Sequence, residues 1–289
     1  MNEFIIPALT QAGIIIIELL VGFGLFWVGQ FTYQKVFRRQ MELNLELFVK
    51  DNPAVAIALV GYYFGIVIAL GSVLGQSSIN WQDKAINLVT YGATVILFML
   101  AGAWVGDKFI LRCFNCEREI IQDRNMGAAN VEAGIHIANG LILNSALAGE
   151  SGGLLVGLVS WLMGLCVLIL VTYVYPLITK YNVFAEIERR NNPAAGVALA
   201  GLLIATGNII RVAFSADFQN WVFSFTQYSF TLLFCLGSLI GIRWLADFLL
   251  VPGVRFYDEI VNQDVPNVGA GLIEAFAYIS ASFLIAWCF

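Results

Sequence analysis

The stretch N-M-G-A-A-N-V-E-A-G-I-H-I-A-N-G-L-I-L-N, Asn125 to Asn144, is long and apolar enough to cross a membrane. It nevertheless contains Glu132, Asn130, Asn139, Asn144 and the single histidine of the chain, His136. About 140 residues later the chain repeats itself as N-V-G-A-G-L-I-E-A-F-A-Y-I, Asn267 to Ile279, aligning Asn125 with Asn267, Gly127 with Gly269 and Glu132 with Glu274. A carboxyl group inside a membrane helix is costly and marks a functional candidate. Here it occurs twice at the same place in a repeat.

The surrounding composition agrees with a membrane setting. Of 289 residues, 60% are hydrophobic and only 12% charged, about half the charged fraction of a soluble domain. Apolar runs of about 20 residues recur throughout, which predicts a polytopic helical protein. The ten-residue alternation of a membrane barrel is absent. The net charge of −5 is dispersed, so no nucleic-acid surface is expected. The N-terminus, M-N-E-F-I-I-P, carries no basic region or cleavage site, and the first apolar run reads as a retained helix.

Eight spans are predicted, over 11–33, 53–75, 86–109, 126–148, 154–177, 193–215, 221–250 and 267–288. Asn52-Pro53 and Asn192-Pro193 each read as a helix start, with asparagine as N-cap and proline at the first helical position, where its missing N–H costs nothing. Phe37, Met41, Leu45 and Phe48 recur at helical spacing in the first polar linker and suggest a segment lying in the interface. Glu150-Ser151-Gly152-Gly153 reads as a turn between the halves. The decapeptides N-P-A-V-A-I-A-L-V-G and N-P-A-A-G-V-A-L-A-G repeat at the same displacement as Trp104 with Trp244 and Asp107 with Asp247. The chain thus reads as an all-α membrane protein of eight transmembrane helices in two four-helix repeats, residues 1–150 and 151–289. Four is even, so the repeats are parallel. Lys35, Arg38, Arg39, Lys50, Lys108, Arg112, Arg118, Arg124, Lys180, Arg189, Arg190 and Arg255 fall in one set of loops, and the alternate loops hold little beyond Lys84 and Arg211. The positive-inside bias then puts both termini outside. Gly61 with Gly65, Gly71 with Gly75, and Gly201 with Ala205 mark small faces where membrane helices touch.

Glu132 and His136 share a helix face. At about 1.5 Å per residue they lie roughly 10 and 16 Å above the inner end of their span. Glu18, roughly 10 Å below the outer end of the first span, would reach the same depth as His136. A ladder Glu132–His136–Glu18 of this kind suits a proton relay, because burial and mutual proximity tune such groups. The second half has Glu274 with Tyr278 in place of His136, and no counterpart of Glu18. If Glu132 and Glu274 met, repulsion would keep one protonated. The competing reading treats both glutamates as polar glue between helices. One His and two Glu form too thin a set for a metal site. Asp107 and Asp247 read as interfacial anchors, and Arg211 snorkels to the surface. Cys113 and Cys116 form a C-x-x-C that two cysteines alone cannot turn into a zinc site, while Cys166, Cys235 and Cys288 read as apolar filler.

These paired N-P-A-x-x-x-A-L-x-G and N-x-G-A-x-x-x-E-A stretches resemble the YjfL-type family of bacterial inner-membrane proteins, defined by a domain of unknown function (number 350), in two tandem copies. The motif positions are Asn52, Pro53, Gly61 and Glu132, then Asn192, Pro193, Gly201 and Glu274. The resemblance implies a multi-pass protein of the bacterial inner membrane, a helical bundle and no established activity. No phosphate loop, nucleophile elbow or zincin helix is present, so an enzyme is not expected, nor a cofactor or metal. The expected function is a channel or transporter for protons, ions or a small solute, acting through Glu132, His136, Glu274 and Glu18. The alternative is a non-transporting scaffold acting through the linkers 34–51 and 178–191. Expected partners are the lipid bilayer, an ion or small solute, and a second copy or a cytoplasmic protein, with no nucleic acid.

Overall fold

A computed structural model describes residues 2–39, 41–74, 81–113, 115–148, 153–179, 181–249 and 253–289. The expected turn residues Glu150, Ser151 and Gly152, the small residue Gly75, Lys180, and the side chains of Lys84 and Asp247 lie outside the described part. Among the described residues there are helices and no strands. The long helices are α1 (Asn2–Thr32), α3 (Pro53–Leu74), α4 (Trp81–Val105), α6 (Met126–Ala146), α7 (Gly153–Thr179), α9 (Pro193–Ala213), α10 (Trp221–Leu249) and α12 (Val268–Cys288). Between them lie the short helices α2 (Leu43–Phe48), α5 (Cys116–Ile121), α8 (Val183–Arg190) and α11 (Phe256–Val261). Two long helices end in a π-helical turn, α1 at Tyr33–Phe37 and α4 at Gly106–Ile110.

Among the described residues, seven helices are long and apolar enough to cross a membrane. The stretch expected as a span over 126–148 is the exception. It forms the 21-residue helix α6, but its glutamate, histidine and asparagines hold its hydropathy below that of the others. Burial accounts for this composition. Nearly all of α6 is enclosed by protein, including Glu132, His136 and Asn139, so it need not present an apolar face to lipid. The expected amphipathic segment 37–48 is also broken up: Phe37 closes the π turn of α1, and α2 begins only at Leu43.

The core is a row of close-packed helices in the order α3, α6, α9, α12, with α1 and α4 against one end, α7 against α6 and α9, and α10 against α9 and α12. Small residues permit the row. A Cβ added at Gly61 would lie 2.3 Å from the Ala133 backbone, at Gly134 2.8 Å from that of Ala200, and at Gly201 2.4 Å from that of Ala275. Without a hydrophobic drive between helices in lipid, such close van der Waals approach is what holds them together.

Each helix of the row starts at an asparagine whose side-chain oxygen caps it. Asn52 accepts from Ala54 N–H, Asn125 from Ala128, Asn192 from Ala195 and Asn267 from Ala270. The amide of the same side chain bridges outward. Asn52 donates to Glu46 (3.3 Å) and to the carbonyl of Ile120 (3.1 Å). Asn125 donates to Glu119 (2.8 Å) and Ile187 (2.7 Å), and Asn192 to Glu186 (3.0 Å) and Ile260 (2.8 Å). The first three clasps each tie a row helix to its own short helix and to the next one along, and Asn267 donates to Glu259 of its own short helix (2.8 Å). These bonds put all four short helices in a belt on one side of the molecule.

Candidate functional site

Glu132 projects from the first third of α6 into a pocket closed by α1 and α5. Tyr33 donates its hydroxyl to Glu132 Oε1 at 2.7 Å, Arg38 donates its Nη2 to Oε2, and Cys116 Sγ lies 3.0 Å from Oε2. His136, one turn along, places Nε2 3.3 Å from Oε1. All five side chains are buried. The π turn of α1 delivers two of them, since Tyr33 opens it and Arg38 follows its last residue. π turns are frequent at functional positions, and here one closes α1. The π turn of α4 supplies Asp107, whose Oδ1 is 3.6 Å from Arg38 Nη2 and whose side chain is 39% exposed.

The imidazole of His136 sits in an aromatic box. Tyr62, Tyr33 and Phe37 meet it edge to face at centroid distances of 5.2, 5.7 and 6.3 Å. Tyr33 stacks on Tyr62 at 4.2 Å, and Arg38 lies over the Phe37 ring at 4.4 Å. The face of the Phe37 ring favours that cation. His136 Nδ1 is buried and has no hydrogen-bond partner among the described residues. Two further polar side chains of α6 reach neighbouring helices: Asn139 accepts from Trp161 Nε1 (2.9 Å) and donates to the Phe98 carbonyl (3.3 Å), and Asn144 donates to the Ile68 carbonyl (2.9 Å), while Asn130 and Ser145 bond back to their own helix. The Asn139 and Asn144 bonds are interhelical ties, whereas Glu132 and His136 form a charged cluster.

Burial opposes the charge of Arg38, but the adjoining Glu132 carboxylate outweighs it and holds the guanidinium above its ordinary pKa. Burial pushes the Cys116 thiol well up, and Glu132 pushes it further. Cys113 is exposed. A charged, water-soluble maleimide at pH 8 should therefore modify Cys113 and leave Cys116 unmodified until the chain is unfolded, as peptide mass mapping would show. Equal labelling of both in the folded protein would contradict the buried position of Cys116. Among the described residues no three His, Cys, Asp or Glu side chains are grouped to hold a metal ion; at Glu132 the guanidinium takes that place.

Glu274 on α12 has a related but different setting. Tyr175 donates to its Oε1 at 3.3 Å and Arg243 Nε at 3.0 Å, with Tyr278 beside Arg243. Tyr33–Glu132 and Tyr175–Glu274 are each separated by 99 residues, so the tyrosines obey the sequence repeat. The arginines do not: Arg38 follows α1, while Arg243 comes from within α10. The two carboxylates have separate partners, and α9 packs against both α6 and α12. Glu18 stands apart from the Glu132 cluster. It lies fifteen residues before Tyr33 on α1, about 22 Å along the helix, and shares no hydrogen bond with Glu132 or His136 among those described. The structure thus joins Glu132 to His136 but not to Glu274 or Glu18. Sequence reasoning missed Tyr33, Arg38, Cys116, Tyr175 and Arg243. The matched spacing could have revealed the tyrosines, whereas nothing in the repeat marks the arginines.

A family model described as "Domain of Unknown Function (DUF350)" matches residues 7–147 and again 150–289. A UPF0719 transmembrane protein of Aquifex aeolicus is 22% identical over 268 residues, covering 90% of this chain and 96% of its own length. No solved structure matches.

Proposed function

The chain belongs to the DUF350 family in both halves, and from that premise we propose that it is a proton-handling transport protein of the bacterial inner membrane. In this reading α6 is an eighth span, because 21 residues rise about 31 Å against a hydrocarbon core of about 30 Å. The two copies enter the membrane in parallel, the belt of short helices faces the cytoplasm, and both termini lie outside. Alkaline phosphatase fused at either terminus should be active and green fluorescent protein dark; the opposite pattern would overturn this orientation.

The observation that carries the proposal is the unpartnered Nδ1 of His136, on an imidazole whose other nitrogen meets Glu132. The groups facing His136 are Glu132 on its own helix, Tyr33 and Arg38 from the end of α1, and Tyr62 on α3, with Asp107 behind Arg38. A proton taken up at Nδ1 converts the ring to imidazolium. Glu132 then has two cations beside it, and Arg38 can lean toward Asp107, 3.6 Å away. Loss of the proton returns Arg38 to Glu132. The site so acquires two charge arrangements that differ by one proton, with Asp107 as its contact toward the short-helix side.

His136→Gln retains a side-chain N–H for Glu132 but cannot bind the proton. In proteoliposomes with an enclosed pH dye, wild type should pass protons and His136→Gln should pass at least about tenfold fewer, in line with loss of a general acid–base group. Its gel-filtration profile should be unchanged. Undiminished flux in a folded His136→Gln protein would remove His136 from the path. The row of Asn–Glu clasps favours a second reading, a non-transporting scaffold whose short helices hold a cytoplasmic protein. Absence of any flux in wild type would turn attention to that belt.

A further inference from the structure

The two copies differ in how they join their paired short helices. In the second copy, Arg190 at the end of α8 spans the gap to α11. Its guanidinium donates to Glu186 (3.1 Å) on its own helix and to the carbonyls of Val261 (2.6 Å) and Gln263 (2.8 Å). The repeat puts Lys50, Glu46 and Ile121 in the places of Arg190, Glu186 and Val261. Lys50 donates to Glu46 at 2.6 Å, and among the described residues it has no bond to α5. An ammonium is a point charge, whereas the guanidinium fork serves several acceptors at once. The Ile121 carbonyl accepts a long bond from Asn52 (3.3 Å), which leaves its second lone pair free.

Where the second copy is bridged, the first is hollow. A cavity of about 440 Å3 lies between α2 and α5, and Glu42, Glu46, Lys50, Glu117, Arg118 and Ile121 are among its walls. Lys50 and Arg118 are exposed, so it opens to the surface, while Glu46 is buried. Its charge differs too, since Glu42 and Glu117 stand where the second copy has Asn182 and Tyr257. Lys50 is held by Glu46, and Arg118 by Asp123 at 3.5 Å. Among the described residues neither Glu42 nor Glu117 has an ion pair, and Glu117 Oε1 is buried without a hydrogen-bond partner. The cavity thus keeps acceptors that hold a guanidinium in the other copy, adds two carboxylates, and lacks the guanidinium itself.

We propose that this cavity binds a guanidinium group from outside the chain, carried by a small guanidine or by an arginine side chain. The inference is independent of proton transport and of the side of the membrane that α2 and α5 face. The full chain in detergent is titrated by calorimetry with butylguanidinium, with butylammonium and with the blocked peptide acetyl-Gly-Arg-Gly-amide. Butylguanidinium should saturate with a Kd of about 1 mM or tighter. Butylammonium should bind at least about tenfold more weakly, the size of one lost charge-assisted hydrogen bond. Lys50→Arg, which supplies the bridge that Arg190 makes, should weaken butylguanidinium at least about tenfold without lowering the melting temperature. Glu42→Asn with Glu117→Gln removes the carboxylates that lack ion pairs. It should weaken binding by a similar factor, and it serves if Lys50→Arg fails to fold. Tighter binding of butylguanidinium than of the peptide would identify a small solute as the source, and the reverse a protein side chain; both results support the site. No saturation by either guanidinium probe at about 10 mM, equal binding of butylammonium, or unchanged affinity in a folded Lys50→Arg protein would each overturn the proposal.

Discussion

Glu132→Ala should destabilise the folded protein by about 3–5 kcal/mol, the cost of stranding one member of a buried ion pair, and should be among the most damaging single changes in the chain. Arg38 is 6% and Glu132 3% exposed at the side chain, so water cannot replace the lost carboxylate. Tyr33 and His136 would lose their common acceptor in the same step. Arg38→Met alone should cost a similar amount by leaving the carboxylate unpaired. The double change Glu132→Gln with Arg38→Met should recover much of the loss, since removing both charges also removes the desolvation that opposes the pair. Thermal melts in detergent, read by tryptophan fluorescence, would follow all three. A melt unchanged by Glu132→Ala would mean that Arg38 finds Asp107 or water at little cost. Glu274→Ala should be milder, because Arg243 is 12% exposed and borders a groove.

The second large effect is expected where backbones touch. A Cβ at Gly140 would lie 2.3 Å from the Gly65 carbonyl oxygen, and at Gly196 2.3 Å from that of Gly127. No side chain is available to move aside, so α6 must separate from α3 in one case and from α9 in the other. Overpacking a core costs about 1–3 kcal/mol when neighbours can adjust. Here Gly140→Val and Gly196→Val should exceed that range and abolish recovery of folded protein by gel filtration. Gly241→Val, with nothing within 4 Å of its Cβ position, is the control and should leave recovery unchanged. Recovery of Gly140→Val at the control level would refute the close crossing of α3 and α6.

Much of this arrangement was legible from residue pattern. The Asn-Pro dipeptides located the starts of α3 and α9, because capping and proline geometry are local. The small residues Gly61, Gly65 and Gly201 marked the contact faces, because helix approach in lipid depends on side-chain size. What the residues could not show is lateral placement. Depth along a helix follows from counting, and it put Glu18 level with His136. Which way α1 faces and where it stands do not follow from counting, and α1 presents Tyr33 and Arg38 instead. In the sequence Arg38 is only one of many basic loop residues. The π turn that turns the chain toward Glu132 has no sequence signature. Nor did hydropathy reveal that the least apolar of the expected spans is one of the two most enclosed by the others.

The contact of α6 with α9 has a consequence for how such a chain can lengthen. Gly134 against Ala200 joins the two copies, and it is the same contact that Gly61 with Ala133 and Gly201 with Ala275 make inside them. Joining two ancestral genes end to end would therefore have required no new kind of seam, only the existing one used again. The series stops at Phe276, which stands nine residues after Asn267 as Gly61, Gly134 and Gly201 stand nine after Asn52, Asn125 and Asn192. Its side chain, 63% exposed, fills the space a following helix would need. A third copy could be appended only after that residue had shrunk.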